Sequence, residues 1–239
     1  MLFINPPFGN YISLPNTTSI KGSYTLKPRP GLISQIIKTL RYSPAYQGWI
    51  NKIGLRNKGI DYAIQNYDGT HIVSIAILNK DEIKPIENKI PKDMNIELNV
   101  SCPNTEHGVI TKGLSIFLNP QRKWCIVKLS PTADMDLVDS YYKQGFRQFH
   151  CCNTLPIKEG GLSGPSITRF SQALTYDIRR SYPKCVIIGG GGITNMKVAE
   201  TYIRFGANHI GISTLLFNPF NFTKFYLQYI NSKYCKNDF

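Results

Sequence analysis

The sequence predicts an α/β fold: a (β/α)8 barrel, one domain over residues 1–239, with some helices trimmed. Three observations predict it. Short β-branched runs recur from about residue 70 to residue 214, helical patterns fall between several of them, and the runs end in small polar residues. Strands alternating with helices imply parallel pairing through right-handed crossovers. A doubly wound open sheet is the alternative.

Two strand-like pieces come early, "SIKGSYTL" (19–26) and, more weakly, "GWINKIG" (48–54). Six more follow: "HIVSIAIL" (71–78), "NIELNVS" (95–101), "KWCIVKLS" (123–130), "FRQFHCCNT" (146–154), "KCVIIGG" (184–190) and "NHIGIST" (208–214). Each is brief, apolar and bounded by turn residues, as a buried strand should be. Helices are expected over 134–145, "DMDLVDSYYKQG", which ends at a Gly, and over 168–181, "TRFSQALTYDIRRS", with a Thr start and a basic last turn. A third, "TNMKVAETYIRFG" (194–206), has Thr194 as its expected N-cap, and "FNFTKFYLQYINSKY" closes the chain. The links 78–95 and 105–122 show no clear helical period. With 239 residues the chain falls a little short of the ~250 typical of such a barrel, which is why helices must be short or missing.

Composition narrows the function classes. Hydrophobic residues make up 42% and charged residues 18%, an ordinary globular balance. No apolar run reaches the ~20 residues of a membrane span, and Met1 to Asn10 lacks a basic region ahead of an apolar one, so neither membrane segment nor signal peptide is expected. Six cysteines, none in a C-x-x-C pair and four inside apolar runs, suggest reduced thiols in a cytoplasmic protein. The net charge of +13 is scattered, without the basic stripe and interleaved aromatics of a nucleic-acid binder, so it reads as a solvated surface suited to an anionic ligand. The four histidines are spread out and without carboxylate company, so no metal site is expected.

The chemistry should sit where strands emerge at the C-terminal face. There "ELNVSCPN" offers Asn99, Cys102 and Asn104, "IVKLSP" offers Lys128, and "CCNT" offers Asn153 and Thr154. Amides carry both donors and an acceptor, so several at one rim suit a planar ring rich in heteroatoms, such as a pyrimidine. Taken alone, Cys102 would be a buried inert thiol and Lys128 a snorkelling strand end; their common place on neighbouring strands favours function. Glu97 and Lys27 could form a structural ion pair, and Asn153 could cap a turn. "IIGGGGIT" (187–194) puts a glycine cluster between a strand and a helix, a backbone anion site when joined by Ser213 and Thr214 in the next loop; its spacing does not match the dinucleotide fingerprint.

These motifs, with "GGLSG" (160–164), "SYTLKPRPG" (23–31) and "NKIGLRNKG" (51–59), resemble the flavin-dependent dihydroorotate dehydrogenases, in order and over nearly the whole chain. The resemblance implies a (β/α)8 barrel with FMN above its strand ends, oxidising dihydroorotate to orotate in pyrimidine synthesis. It implies that Cys102 removes the C5 proton while hydride passes from C6 to flavin N5, and that Lys128 stabilises the reduced ring. Lys27 would reach flavin and substrate. Asn51, Asn99, Asn104, Asn153 and Thr154 would hold the substrate, with Asn99 and Asn153 also beside the flavin and the backbone of Ile53, Gly54 and Leu55 along the substrate. Gly161, Gly190, Gly191, Gly192, Ser213 and Thr214 would cradle the FMN phosphate. A Cys in the base position resembles the class 1 enzymes, which usually form homodimers. The chain departs from the family where Gly9-Asn10-Tyr11 replaces an Ala-Gly loop, and where the helices after the first, third and fourth strands look trimmed. Two other readings are a related flavin-dependent dihydropyrimidine oxidoreductase and a degenerate barrel kept as a non-catalytic binding protein.

Overall fold

The computed structural model describes residues 1–100 and 109–235. In chain order its elements are β1 (Leu2–Ile4), β2 (Thr17–Tyr24), α1 (Leu32–Thr39), β3 (Arg41–Ser43), β4 (Gly48–Asn51), α2 (Ile60–Gln65), β5 (Ile72–Ala76), α3 (Ile83–Lys89), β6 (Ile96–Asn99), β7 (Cys125–Leu129), α4 (Met135–Lys143), β8 (Gln148–Cys151), β9 (Leu155–Ile157), β10 (Gly160–Ser163), α5 (Thr168–Ser181), β11 (Val186–Gly190), α6 (Met196–Arg204), β12 (His209–Ile212) and α7 (Pro219–Ile230). Eight parallel strands, β1, β2, β5, β6, β7, β8, β11 and β12, close into a barrel. β1 completes it by pairing with β2 on one side and β12 on the other. This is the (β/α)8 fold that the alternation predicted.

Alternation along each strand decides what faces where. Outward residues such as Ile96, Leu98, Val127, Leu129 and Phe149 pack against Val138 and Tyr141 of α4 and Leu174 and Ile178 of α5 in the main core. Each such side chain removed from water contributes about 1.5–3 kcal/mol, which fixes the helices on the barrel wall. Phe3, Ile20, Ile72, Trp124, Ile126 and Ile188 form a separate buried cluster drawn from the strands and their leading ends. Two residues beyond Ile126 on β7 comes Lys128, so the same face turns from apolar to polar within one pleat repeat.

The barrel's first strand is Leu2–Ile4, and the weak run at 48–54 is not a barrel strand. Three fully buried residues leave no room for a periodic signal in β1. β4 alternates buried and half-buried residues, and it pairs antiparallel with both β3 and β10. The resulting sheet, β3-β4-β10-β9, joins the chain that follows β2 to the chain that follows β8. Trp49 of β4 stacks on Phe217 at 4.2 Å between ring centroids.

The helices of the second half lie where the period put them, with two changes at their starts. Asn195, not Thr194, caps α6, its side chain accepting from Val198 N at 3.1 Å. Ile167 occupies the cap position of α5, and Thr168 instead donates to Gly192 O at 3.3 Å. The link 78–95 holds the seven-residue α3, started by a 3-10 turn that Asn79 caps, despite Pro85 near its first turn. Between β1 and β2 lies only a 3-10 turn, Phe8–Asn10, and the described part of the link before β7 likewise holds one, Leu114–Phe117. The trimming read from the sequence is present after the first strand and, among the described residues, after the fourth.

Candidate active site

Glu97 stands on the inward face of β6, in register with Ile126 and Ser74, and Asn99 stands in register with Lys128. Lys128 in turn is in register with His150 on β8. Four adjacent strands thus deliver a hydroxyl, a carboxylate with an amide, an ammonium and an imidazole into one space. Glu97 and His150 are fully buried and Lys128 nearly so. Ser74 Oγ donates to Glu97 Oε1 at 2.8 Å, Lys128 Nζ lies 3.4 Å from the same oxygen, and His150 Nδ1 bonds Oε2 at 2.5 Å.

The electrostatics follow from that enclosure. Burial alone would raise the Glu97 pKa, but Lys128, His150 and the bonds from His150 and Ser74 outweigh it and hold it at about 2. Burial is also the main force lowering the His150 pKa; Lys128 pushes the same way, and Glu97 opposes. The consistent state at neutral pH is an anionic Glu97, a cationic Lys128 and a neutral His150 donating from Nδ1, with Asn5 Nδ2 supplying a bond to Nε2 at 3.2 Å. One anion and one cation share the buried space, which spares either an uncompensated charge.

The polar chain continues to the rim. Ser23 Oγ is 2.9 Å from Ser74 Oγ, Asn99 Nδ2 donates to Ser23 Oγ at 3.0 Å, and Asn153 Nδ2 donates to Asn99 Oδ1 at 3.0 Å. Asn153 is seated by its own N–H, which bonds Leu129 O, and its Oδ1 accepts from Thr154 N at 2.9 Å. Of the predicted site residues, Asn99, Lys128, Asn153 and Thr154 therefore come together. Asn51 and Gly161 are direct partners across β4 and β10, and a Cβ on Gly161 would stand 2.7 Å from Thr154 Oγ1, which brings this pair to the same rim. Ile53, Gly54 and Leu55 form the turn after β4, with Gly54 and Leu55 at positive φ and Gly54 O accepting from Arg29 Nε. Lys27 is exposed beyond the end of β2 and is not the partner of Glu97; Lys128 and His150 are. Cys102 and Asn104 lie outside the described residues.

Gly190 ends β11, and Gly191 and Gly192 follow at φ +103° and +72°. A Cβ on Gly190 would come within 2.6 Å of Gly211 O, and one on Gly192 within 2.7 Å of Gly164 O as well as colliding with Thr168. The single O–H of Tyr202 points between the carbonyls of Gly191, at 2.6 Å, and Gly190, at 3.0 Å, and Ser171 also donates to Gly190 O. The turn is thereby anchored from behind. Ser213 donates to Pro6 O at 2.9 Å, and Thr214 begins the next 3-10 turn.

The histidines do have carboxylate company, contrary to the sequence reading: His150 with Glu97 and His71 with Asp68 at 2.9 Å. Glu97, read from the sequence only as half of a structural ion pair, and His150, Ser74, Ser23 and Asn5, not read as site residues at all, are the site residues that the structure adds. A signal for the first existed: Glu97 shares the parity of Asn99 in "ELN", so a strand placing one amide inward also places a carboxylate inward. His150 and Asn5 come from strands that meet only through the closed barrel.

The family model described as "Dihydroorotate dehydrogenase" matches residues 11–232. Among curated proteins, the chain is 28% identical over 264 residues to the dihydroorotate dehydrogenase B (NAD(+)) catalytic subunit of Thermotoga maritima, covering 91% of this chain and 93% of the relative. The proteins of the same name from Petrotoga mobilis and Bacteroides fragilis are 31% and 30% identical, covering 82% and 74% of this chain and 75% and 70% of the relatives.

Proposed function

The chain belongs to the dihydroorotate dehydrogenase family, and on that premise we propose that it oxidises dihydroorotate to orotate with FMN at the C-terminal mouth of the barrel, as one domain over residues 1–239. The observation that carries this reading is the buried Lys128 in register with Asn99, one strand from Asn153. It supplies a fixed cation and two amides to a water-poor rim, the donor set that an electron-rich heterocycle requires.

The residues present fit a flavin. Gly190–Gly192 is a turn of bare backbone packed too closely against Gly211 O, Gly164 O and Thr168 to carry side chains, and the N–H groups of such a turn suit a phosphate, with Ser213 and Thr214 in the following loop. When bound, the flavin supplies the acceptor for the hydride that leaves substrate C6. Lys128, Lys27, Asn99 and Asn153 would hold its ring, and Gly161 with the glycine turn its ribityl phosphate. Asn51, Asn104, Asn153 and Thr154, with the backbone of Ile53, Gly54 and Leu55, would hold the substrate's carboxylate and ring edge. Cys102 would take the C5 proton; a thiol ordinarily near pKa 8.5 needs a cation nearby to do so at neutral pH, and Lys128 is the buried lysine of β7, the strand next to β6. Its role rests on the motif "ELNVSCPN". The reactive thiols of such a site suit the reducing cytoplasm. The relatives are named NAD(+) enzymes and catalytic subunits, so NAD(+) as the final acceptor and a further subunit enter as parts of the proposal, beside the homodimer.

The test is an anaerobic titration. Purified protein loaded with FMN should show flavin absorption that dihydroorotate bleaches stoichiometrically, and Cys102→Ser should slow that bleaching by about 10²–10⁴-fold while still binding orotate. Protein that takes up no FMN, or a loaded protein that dihydroorotate leaves yellow, defeats the proposal.

A further inference from the structure

We propose that Glu97 and His150 are positioning residues that set the direction of the hydrogen-bond chain beneath the rim, so that Asn99 and Asn153 turn N–H groups toward the ligand. The inference rests on the reading above only in taking this rim as the place where orotate binds.

The direction follows from counting protons. A carboxylate only accepts. Ser74 has a single O–H and donates it to Glu97 Oε1 at 2.8 Å. The 2.9 Å contact between Ser74 and Ser23 must then have Ser23 as the donor. Ser23 has now spent its proton, so it can only accept from Asn99, which turns Nδ2 toward it at 3.0 Å. Asn99 Oδ1 consequently faces Asn153, whose Nδ2 donates at 3.0 Å. Asn153 Oδ1 is taken by Thr154 N. From the other side His150 donates from Nδ1 to Oε2 and accepts from Asn5 at Nε2. Every bond from Asn153 to Ser74, and from Asn5 to His150, points at Glu97.

At the rim both amide oxygens are occupied by protein, and among the described residues each amide keeps one N–H unspent. The rim therefore offers donors, and it selects ligands that present acceptors there: carbonyl and carboxylate oxygens on a planar ring. A neutral amide at position 97 could donate to Ser74 as well as accept, and the chain would then run in either direction. The reversed members of that ensemble would turn a carbonyl toward a ligand oxygen. His150 removes a second freedom: its donation to Oε2 leaves Oε1 as the edge that faces Ser74 and Lys128.

The experiment uses the FMN-loaded protein, with Glu97→Gln and, because that change also removes a charge, Ser74→Ala, which cuts the chain and leaves Glu97, Lys128 and His150 in place. Orotate affinity is read from the flavin difference spectrum. The His150 tautomer is read by ¹⁵N NMR of histidine-labelled protein, with His150→Gln giving the assignment. The proposal expects wild-type His150 protonated at Nδ1 and bare at Nε2, and orotate binding weakened about tenfold in both variants with FMN content retained. Wild-type His150 protonated at Nε2, or Ser74→Ala binding orotate within twofold of wild type, overturns it. A wild-type protein that holds FMN but binds no orotate sinks the assigned substrate instead, and the tautomer still decides the direction of the chain.

Discussion

Lys128→Met keeps most of the side chain's volume and removes its charge, which leaves Glu97 as an anion at 0% exposure with a neutral imidazole for company. At the 3.4 Å separation of Lys128 Nζ and Glu97 Oε1, and with the effective dielectric of about 20 that suits protein interiors, the lost attraction is about 5 kcal/mol. Breaking buried pairs by removing one partner costs about 3–5 kcal/mol, so the two routes agree. For a chain of this size each kcal/mol lowers Tm by about 2–4 °C, giving a drop of roughly 6–20 °C. The loss should depend on pH. With Lys128 gone, burial still lowers the His150 pKa, but the push that Lys128 adds is gone, so that pKa rises toward its ordinary value. A histidine held below its unfolded pKa costs stability as pH falls, and the variant bears less of that cost than the wild type, so its deficit should be larger at pH 8 than at pH 6. Urea unfolding at both pH values measures this, and the double variant Lys128→Met, Glu97→Gln should recover part of the loss because no buried charge remains. A single variant that loses under 1 kcal/mol at both pH values, or a double variant less stable than the single, refutes the pairing argument.

Acid should unfold the wild-type protein in two windows. Glu97 has its pKa lowered from 4.5 to about 2, so its contribution, roughly 3 kcal/mol, is present above 4.5 and is lost as pH falls from 4.5 toward 2. His209 is lowered from 6.5 to about 4, chiefly by burial and next by the terminal amine, so stability also declines as pH falls from 6.5 to 4; a curve flat from pH 7 to 4 counts against the His209 assignment, and one flat from pH 4.5 to 2 against that of Glu97. Asn195→Ala should cost about 1 kcal/mol through the lost cap of α6 while Thr194→Ala costs a few tenths, and equal melting shifts for the two would contradict the cap. Gly192→Ala, at φ +72° and against Thr168, should destabilise by about 1–3 kcal/mol and weaken FMN retention; an unchanged Tm is the contrary result.

What the sequence disclosed, and what it withheld, divides along physical lines. The barrel strands after the first were legible because they are short and β-branched, most of them punctuated by helices with their own period; β9 and β10, three and four residues long around a glycine pair, gave no such run. Asn99, Lys128 and Asn153 were legible as polar residues at the ends of apolar runs, and the structure joins them. β1 was not legible, since three buried residues carry no period, and Gly48–Asn51 took its place in the count because an antiparallel strand alternates just as a barrel strand does. Glu97 was seen but given the wrong partner. Its companions come from β5, β7 and β8, and register across strands is a property of the closed sheet that no local pattern encodes. His150 reads in the chain as one more member of an apolar run.

The small sheet over the mouth has a consequence in time as well as in space. Its seam pairs Trp49 with Ser163, 114 residues later in the chain. At a synthesis rate of about 5–20 residues per second, the earlier hairpin is made roughly 6–20 s before the strand it must join. During that interval β3 and β4 have an unpaired edge, and Trp49 has yet to meet Phe217, which emerges later still. The rim sheet can therefore pair before β11 and β12 have been made, while β1 waits longer still, its Leu2 pairing with Ile210 of β12; a chaperone that shields the Arg41–Asn51 hairpin would cover an open edge while the second half of the wall is still being synthesised.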